Sequence, residues 1–488
     1  MMTKGNEMNK NNTKKHLKKG IIWTLLNRTS VLVMQFTAMI VLARFLTPTD
    51  FAVVGIALFF MSLSQTLVDS GMGGSLLRKQ EVKNVDYSTL FIYNMGVAIT
   101  MYLLLLILAK PLASFYQHKE LASVINVIGI SIVISAFGKI QQIILLRELK
   151  FKQITIIALT SSSISLLIAI IMAIKGYGVW ALVMQHLVNT TLTVIMQFIS
   201  NRYLPRLMFS MLMFKEQWEF GSYLFYTRLL DTGYQNIFSL VFPKISSFNF
   251  AGLFTQANKI ERLPLNMLNS VAHSGIFPIL AKIDDEELFM KTNKIITKKT
   301  YIPSFAILFA LAIFSEQAIS LLLGNKWIDA APVLSILSIA GVFAVISTMV
   351  RNSLKSLGMT NKLFKNEILR SVIGIAMLML TFSFGNYYIL WGIVFTEFFS
   401  SIIAIVLLSK VINFTVKEQI MDFIETMYPL IPAAIITYFF VYFTSLSNIS
   451  TLVSGLFIFF CSIFIFGSIF RNNEIKQLQN SLLGLIKF

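Results

Sequence analysis

Cysteine is almost absent. Cys461 stands alone in 488 residues, so no disulfide can form within the chain and no cysteine metal site can be assembled. Charge is scarce too. Asp, Glu, Lys and Arg together make up 13% of the residues, about half the share of a soluble domain. The acids are the rarer sign, 23 against 41 Lys and Arg. Four histidines are scattered with no H-E-x-x-H pair, so the zinc-protease arrangement has no ligands to build on. The segment Gly71–Lys79 (GMGGSLLRK) is rich in glycine but lacks the G-x-x-x-x-G-K-[ST] spacing of a phosphate loop, which argues against direct use of ATP by this chain. Long polar loops are missing as well, and with them a place for an external catalytic domain. No enzyme activity, cofactor or metal is expected.

What is abundant is apolar sequence: 56% hydrophobic residues and a mean hydropathy of +0.73. Runs of about 20 apolar residues recur throughout, each long enough to cross a bilayer. The expected fold is an all-α polytopic membrane protein. Fourteen spans are read at roughly 20–43, 51–74, 88–109, 121–146, 153–174, 178–200, 218–242, 249–280, 301–323, 331–357, 364–384, 387–409, 427–446 and 449–470. The first run follows a lysine-rich tail but is too long for a signal-peptide core, so it reads as an uncleaved span. The longest loop is expected at 281–300, where Asp284, Asp285, Glu286 and Glu287 precede several lysines.

The basic residues support this layout. With Arg351, Lys355, Lys365 and Arg370, which lie toward span ends, counted with the adjoining segment, thirty of the 41 fall on one alternating set of segments, six on the other and five within spans. Under the positive-inside rule both termini are cytoplasmic. The net charge of +18 then points to anionic lipid of the inner leaflet and not to nucleic acid. All five tryptophans, Trp23, Trp180, Trp218, Trp327 and Trp391, lie close to expected span ends, as an aromatic belt would have them.

An internal repeat is suggested by near-constant offsets. Gly20 pairs with Gly221, Arg28 with Arg228, Phe51-Ala52 with Phe250-Ala251, and Gly74 with Gly275. Two six-helix lobes in a parallel pseudo-repeat, enclosing a central cavity, with two C-terminal helices added, would explain this. The expected divisions are a basic cytoplasmic tail at 1–19, an N-terminal lobe at 20–201 and an amphipathic cytoplasmic linker at 202–217. A C-terminal lobe at 218–410 follows, then two extra helices and a cytoplasmic tail at 411–488.

Polar residues inside the spans are the candidate site. Gln256, Lys259, Arg262, Asn266, Asn269 and His273 recur at steps of three or four, which sets them on one face of a helix. Hydrocarbon offers such groups no partner, so the stripe should face protein or a water-filled cavity. Arg228, Asp231, Gln235 and Ser239 repeat the device on the preceding span. In this reading the cations Arg228, Lys259 and Arg262 hold an anionic headgroup, while Asp231, Glu261 and Glu397 balance or couple. Internal salt bridging, with Arg228–Asp231 at i,i+3, is the competing structural account. Arg28, Asp69 and Lys139 are shallower. Arg28 and Lys139 can snorkel to headgroups, and Asp69 shares a face with Ser62 and Gln65. His273 reads better as a hydrogen-bonded structural residue than as a proton relay.

Residues 20–85 carry a further signal. A glycine and Arg28 in the first span, A-R-F-L-T-P-T-D-F at Ala43–Phe51, and a D-x-G element at Asp69 and Gly71 followed by Arg78 resemble bacterial polysaccharide flippases. These are the Wzx-type and teichuronic-acid-exporter-like members of the multidrug/oligosaccharidyl-lipid/polysaccharide superfamily. Ala52 stands where the usual glycine follows the Asp-Phe pair. The resemblance implies a flippase of the bacterial inner membrane. Its cargo would be a lipid-linked oligosaccharide, usually on undecaprenyl pyrophosphate, carried from the inner to the outer leaflet for O-antigen and lipopolysaccharide, capsule or exopolysaccharide. It also implies a functional role for Arg28, and polysaccharide polymerase or export machinery as partners. On that basis Arg28, Arg228, Lys259 and Arg262 are expected at the pyrophosphate. Gln235, Gln256, Asn266 and Asn269 are expected at the sugars, and Asp69, Asp231, Glu261 and Glu397 in charge balance or in coupling to proton, sodium or membrane potential. The competing readings are a multidrug or organic-cation exporter of the same superfamily, a membrane glycosyltransferase or polymerase, and a scaffold for polysaccharide assembly.

Overall fold

A computed structural model describes residues 23, 29–271, 280, 283, 285–444 and 446–470. The chain divides into two compact units, Met1–Gly252 and Leu253–Phe488.

The first unit starts with α1 (Thr29–Phe45) and α2 (Pro48–Asp69). The turn between them is written in T-P-T-D. Thr47 and Asp50 form a reciprocal capping box, and Pro48 takes the first helical position, where its missing N–H costs nothing. Span two was expected to run unbroken to residue 74. Instead α2 ends at Asp69, because Ser70 (φ 39°) and Gly71 (φ 72°) are left-handed, and a short α3 (Met72–Arg78) restarts. The D-x-G element is therefore a helix break. Then follow α4 (Asn84–Tyr116), α5 (Glu120–Arg147), α6 (Phe151–Ile174) and α7 (Val179–Asn201). The helix α5 packs on α4, α7 and α2. At one end Arg147 donates to the carbonyls of Leu76, Lys79 (2.7 Å) and Gln80 (3.1 Å), satisfying the C-terminus of α3. Residues 202–210 are not helical, and Leu204, Leu207 and Phe209 are exposed there. Ser210 caps α8 (Met211–Ile245), which starts seven residues before the span expected at 218.

The helix α9 (Phe248–Val271) has its first turns in this unit. Gly252 lies against the backbone of Pro48, so close that a Cβ would overlap the Pro48 carbonyl.

The second unit holds the rest of α9, α10 (Glu286–Ile313), α11 (Ser315–Leu322), α12 (Ala330–Ser356), α13 (Thr360–Thr381), α14 (Asn386–Ser409), α15 (Val416–Phe443) and α16 (Asn448–Ile469). The sequence expectation of a long loop at 281–300 does not hold from Glu286 onward. Asp285 accepts the Leu288 N–H at 2.7 Å as an N-cap, Glu286 and Glu287 sit in the favourable first turn, and the helix continues through the lysines. Strongly buried α12 packs between α10 and α14, around Phe305, Leu308, Met349 and Leu408. Leu430 of α15 and Phe459 of α16 join the same core, and Lys298 of α10 meets Asp422 (2.9 Å) and Glu425 (2.7 Å) at the start of α15. The last two helices are thus built into this unit.

Eleven of the described helices are long and apolar enough to cross a membrane, and each overlaps an expected span. The protein is a polytopic all-α membrane protein. The other three expected spans coincide with α1, α8 and α9. The described part of α1 is short, and α8 and α9 are too polar to qualify by composition, so fourteen is not established by this count. Large apolar side chains such as Ile107, Tyr442, Phe443 and Phe457 are exposed, the pattern of helices bathed in hydrocarbon.

Candidate functional site

The polar stripe of α9 is less uniform than its spacing implies. Lys259 and Asn266 are exposed, and Arg262 is half-buried with its Nε donating to Asn258 Oδ1 at 3.1 Å. Gln256, expected to line the same cavity, is fully buried, and neither of its amide atoms has a partner among the described residues. It is therefore no surface group of the cationic face. Asn269 lies on α9 but its side chain is outside the description, and His273 and Arg28 are outside the described residues altogether. Pro264 lies inside the continuous helix, just after Arg262. It can supply no N–H to the preceding turn, which favours a kink beside the charged residues.

Glu261 points away from the stripe, as a step of one residue requires. It is 5% exposed and lies against α12 at Gly341, where a Cβ would come within 2.5 Å of its Oε1. The missing side chain of Gly341 is what admits the carboxyl. Its charged neighbours are Arg262 and Glu397. Glu397 on α14 is also buried. Arg370 of α13 donates to one of its oxygens through Nη2 at 2.5 Å and Nε at 3.2 Å, while the other oxygen has no partner among the described residues. Arg370 also stands 3.6 Å from Glu367, which in turn lies 3.5 Å from Arg351. The result is an alternating chain, Arg351–Glu367–Arg370–Glu397, across α12, α13 and α14. By sequence, Arg351 and Arg370 belonged to the loop charges. The i,i+3 spacing of Glu367 and Arg370 was the available clue.

In the first unit Arg228 is exposed on α8. The side chains of Asp231 and Gln235 are outside the description, so the expected Arg228–Asp231 pair is too. A hydroxyl pair, Thr66–Thr232 at 3.3 Å, joins α2 to α8. Asp69 does not stand alone: Lys139 Nζ of α5 lies 2.7 Å from its Oδ1. This pair borders a cavity of about 330 Å³ lined from α2, α5 and α7. Gln65, Gln142, Asn189 and Gln197 present amides to it, and His186 lies on its wall. Of these, only Asp69, Gln65 and Lys139 were singled out by sequence. The amides of α7 recur at positions 189 and 197 with Thr193 between them, a four-residue step visible in the sequence and masked by the apolar neighbours.

A family model described as "Polysaccharide biosynthesis protein" matches residues 41–332. The chain belongs to this polysaccharide biosynthesis protein family. The match takes in T-P-T-D, the D-x-G break, the cavity of the first unit and all of α9, but stops short of the Arg370–Glu397 pair. Among curated relatives, the succinoglycan biosynthesis transport protein ExoT of Rhizobium meliloti (strain 1021) is 24% identical over 73% of each chain. The teichuronic acid biosynthesis protein TuaB of Bacillus subtilis (strain 168) is 24% identical over 68% of this chain and 69% of its own. In fold the chain resembles the lipid II flippase MurJ in an inward closed conformation, with a TM-score of 0.74, 17% identity, and 93% of this chain and 100% of that one covered.

Within this family frame the site residues sort by surroundings. Lys259 and Asn266 are accessible, and Arg262 partly so. Glu261 and Glu397 are enclosed and adjoin an arginine chain. Asp69 is tied to a lysine beside a polar cavity.

Proposed function

We infer that the chain moves a lipid-linked oligosaccharide from the inner to the outer leaflet of a bacterial cell membrane, in the service of polysaccharide export. The observation that carries this is Lys259, exposed on a helix of a polytopic polysaccharide-family protein with Arg262 one turn away. An ammonium in the hydrocarbon region costs from ~3 kcal/mol to several times that, so it is retained where it meets water or an anion. The pyrophosphate of a lipid carrier is such an anion. Names among the relatives support the cargo class, being those of transport and biosynthesis proteins for succinoglycan and teichuronic acid.

In this proposal Lys259 and Arg262 of the second unit attract the phosphates and Asn266 serves the first sugars, while Arg228 and Arg28 are the cations that the first unit offers to an anionic cargo. The lipid tail stays in the bilayer while the protein alternates between inward and outward access. This removes the main barrier, the passage of hydrated sugar and charge through hydrocarbon. Both termini are taken as cytoplasmic. The membrane potential is a sufficient drive in sign, since an anion leaving an inside-negative cell gains ~2.3 kcal/mol per charge per 100 mV. Single Lys259→Ala, Arg262→Ala and Arg228→Ala variants, checked for insertion and monodispersity, should each lower delivery of lipid-linked sugar to the outer leaflet. Undiminished delivery by all three would refute the role given to these cations.

A further inference from the structure

The cavity of the first unit is not part of the cationic stripe, and its chemistry is different. Its one ion pair, Asp69–Lys139 at 2.7 Å, is internally neutral, so the cavity has no net call for a charged ligand. What remains is a set of neutral donors and acceptors: the amides of Gln65, Gln142, Asn189 and Gln197. Each offers two N–H donors and a carbonyl acceptor. His186 Nε2 is buried beside them without a partner among the described residues. Val68, Ala136 and Val194 complete the wall with apolar surface. A volume of about 330 Å³ would otherwise hold on the order of ten waters, and it lies at the small end of ligand pockets.

The wall is also held in place. Ser162 of α6 donates to Asn189 Oδ1 at 3.4 Å, fixing one side of that amide. Gly138 lets α7 approach α5 closely: a Cβ there would come within 2.6 Å of Val194 and 2.9 Å of Gln197 Oε1. Both of those side chains line the cavity, so the glycine sets its width. An inorganic cation is a poor fit, because the single carboxylate is already engaged by Lys139 and no cluster of three metal-ligating side chains occurs among the described residues.

We propose that this cavity is a saccharide subsite, taking one uncharged sugar residue of the carried glycan. Paired hydroxyls match the amides, which can donate and accept at once, and the apolar wall meets the C–H face of the ring. The proposal rests on the reading that the cargo is a lipid-linked glycan, and it assigns recognition of a sugar to side chains of the first unit other than the phosphate-binding cations.

The test is saturation-transfer NMR on the full-length protein in nanodiscs. The probes are the methyl glycosides of glucose, galactose and N-acetylglucosamine, with methyl glucuronide as the charged comparison. At least one neutral glycoside should receive saturation above empty nanodiscs and above the glucuronide. The signal should be lost in Gln142→Leu/Asn189→Leu, weakened in Gly138→Ala, and kept in Gly96→Ala, where the added carbon meets nothing within 4 Å. Should the double variant not insert, Gln197→Leu alone is expected to give the loss. No transfer to any neutral probe, or transfer indifferent to these substitutions, overturns the subsite. Failure of the flippase reading looks different: sugar-specific transfer would be present while no lipid-linked glycan reaches the outer leaflet.

Discussion

Replacing Arg370 should harm this protein more than replacing the carboxylate it holds. The two Arg370–Glu397 hydrogen bonds converge on one oxygen at 2.5 and 3.2 Å, and both side chains are about nine-tenths buried. Arg370→Met leaves Glu397 enclosed without a counter-ion, its second oxygen already lacking a partner among the described residues. Breaking a buried pair in this way costs about 3–5 kcal/mol. Glu397→Gln is milder. The amide oxygen can still accept from the guanidinium, and Arg370 retains Glu367 at 3.6 Å, so the loss should be nearer that of one charge-assisted hydrogen bond, about 1.5–3 kcal/mol. The combination Arg370→Met/Glu397→Met removes both charges and should recover most of the first loss, since apolar replacement of a buried pair is often neutral. The assay is unfolding of the three detergent-solubilised variants beside the parent, read as the monodisperse fraction surviving graded heating. If Glu397→Gln proved as damaging as Arg370→Met, or the combination no better than the worse single change, the pair would not be the buried contact described.

Gly252→Ala should reduce the yield of folded protein, because the added methyl meets the Pro48 backbone and no side-chain rotation relieves it. Gly96→Ala, with nothing within 4 Å of the new carbon, should leave yield unchanged. Gly341→Ala should cost about 1–3 kcal/mol by crowding Glu261 and Leu308, and Glu261→Asp, which withdraws the carboxyl by one methylene, should restore part of the loss in the same heating assay. Lys79 bridges buried Asp86 (3.1 Å) and Glu216 (3.4 Å). Burial works against its ammonium, but the hydrogen bond and charge of Asp86, with Glu216 behind, outweigh it and hold the pKa above the ordinary lysine value of 10.5. Its contribution is therefore complete below about pH 10.5 and lost as the pH climbs through the raised value. A stability profile from pH 8 to 12 should show that loss in the parent and a flatter course in Lys79→Met.

Much of the architecture was legible because membrane spans announce themselves by composition. Eleven helices fell where apolar runs placed them, whereas T-P-T-D entered only as part of a family resemblance, although its residue types spell the α2 cap. The misreadings have a common cause. Hydropathy treats charge as an end of helix, so Glu286–Thr300 passed for a loop, although Asp285 and its following acids are a helix start. Likewise the unbroken apolar character of 51–74 concealed the left-handed Ser70-Gly71 break. In the candidate site, spacing grouped Gln256 with Lys259 and Arg262, yet packing buries the first and exposes the second. A helical wheel fixes the relative angle of side chains but not what stands opposite each of them.

By itself, then, the chain determined most of the helical segments, that they belong in a membrane, and which family shares their pattern, since these depend chiefly on local hydrophobicity. Only tertiary structure decided that Asp69 meets Lys139, that Arg370 reaches Glu397, and that Gly138 and Gly341 leave room for Gln197 and Glu261. Those contacts join residues 27 to 80 positions apart or face a backbone approach of a few ångströms, and periodicity carries no information about the helix on the other side of the contact.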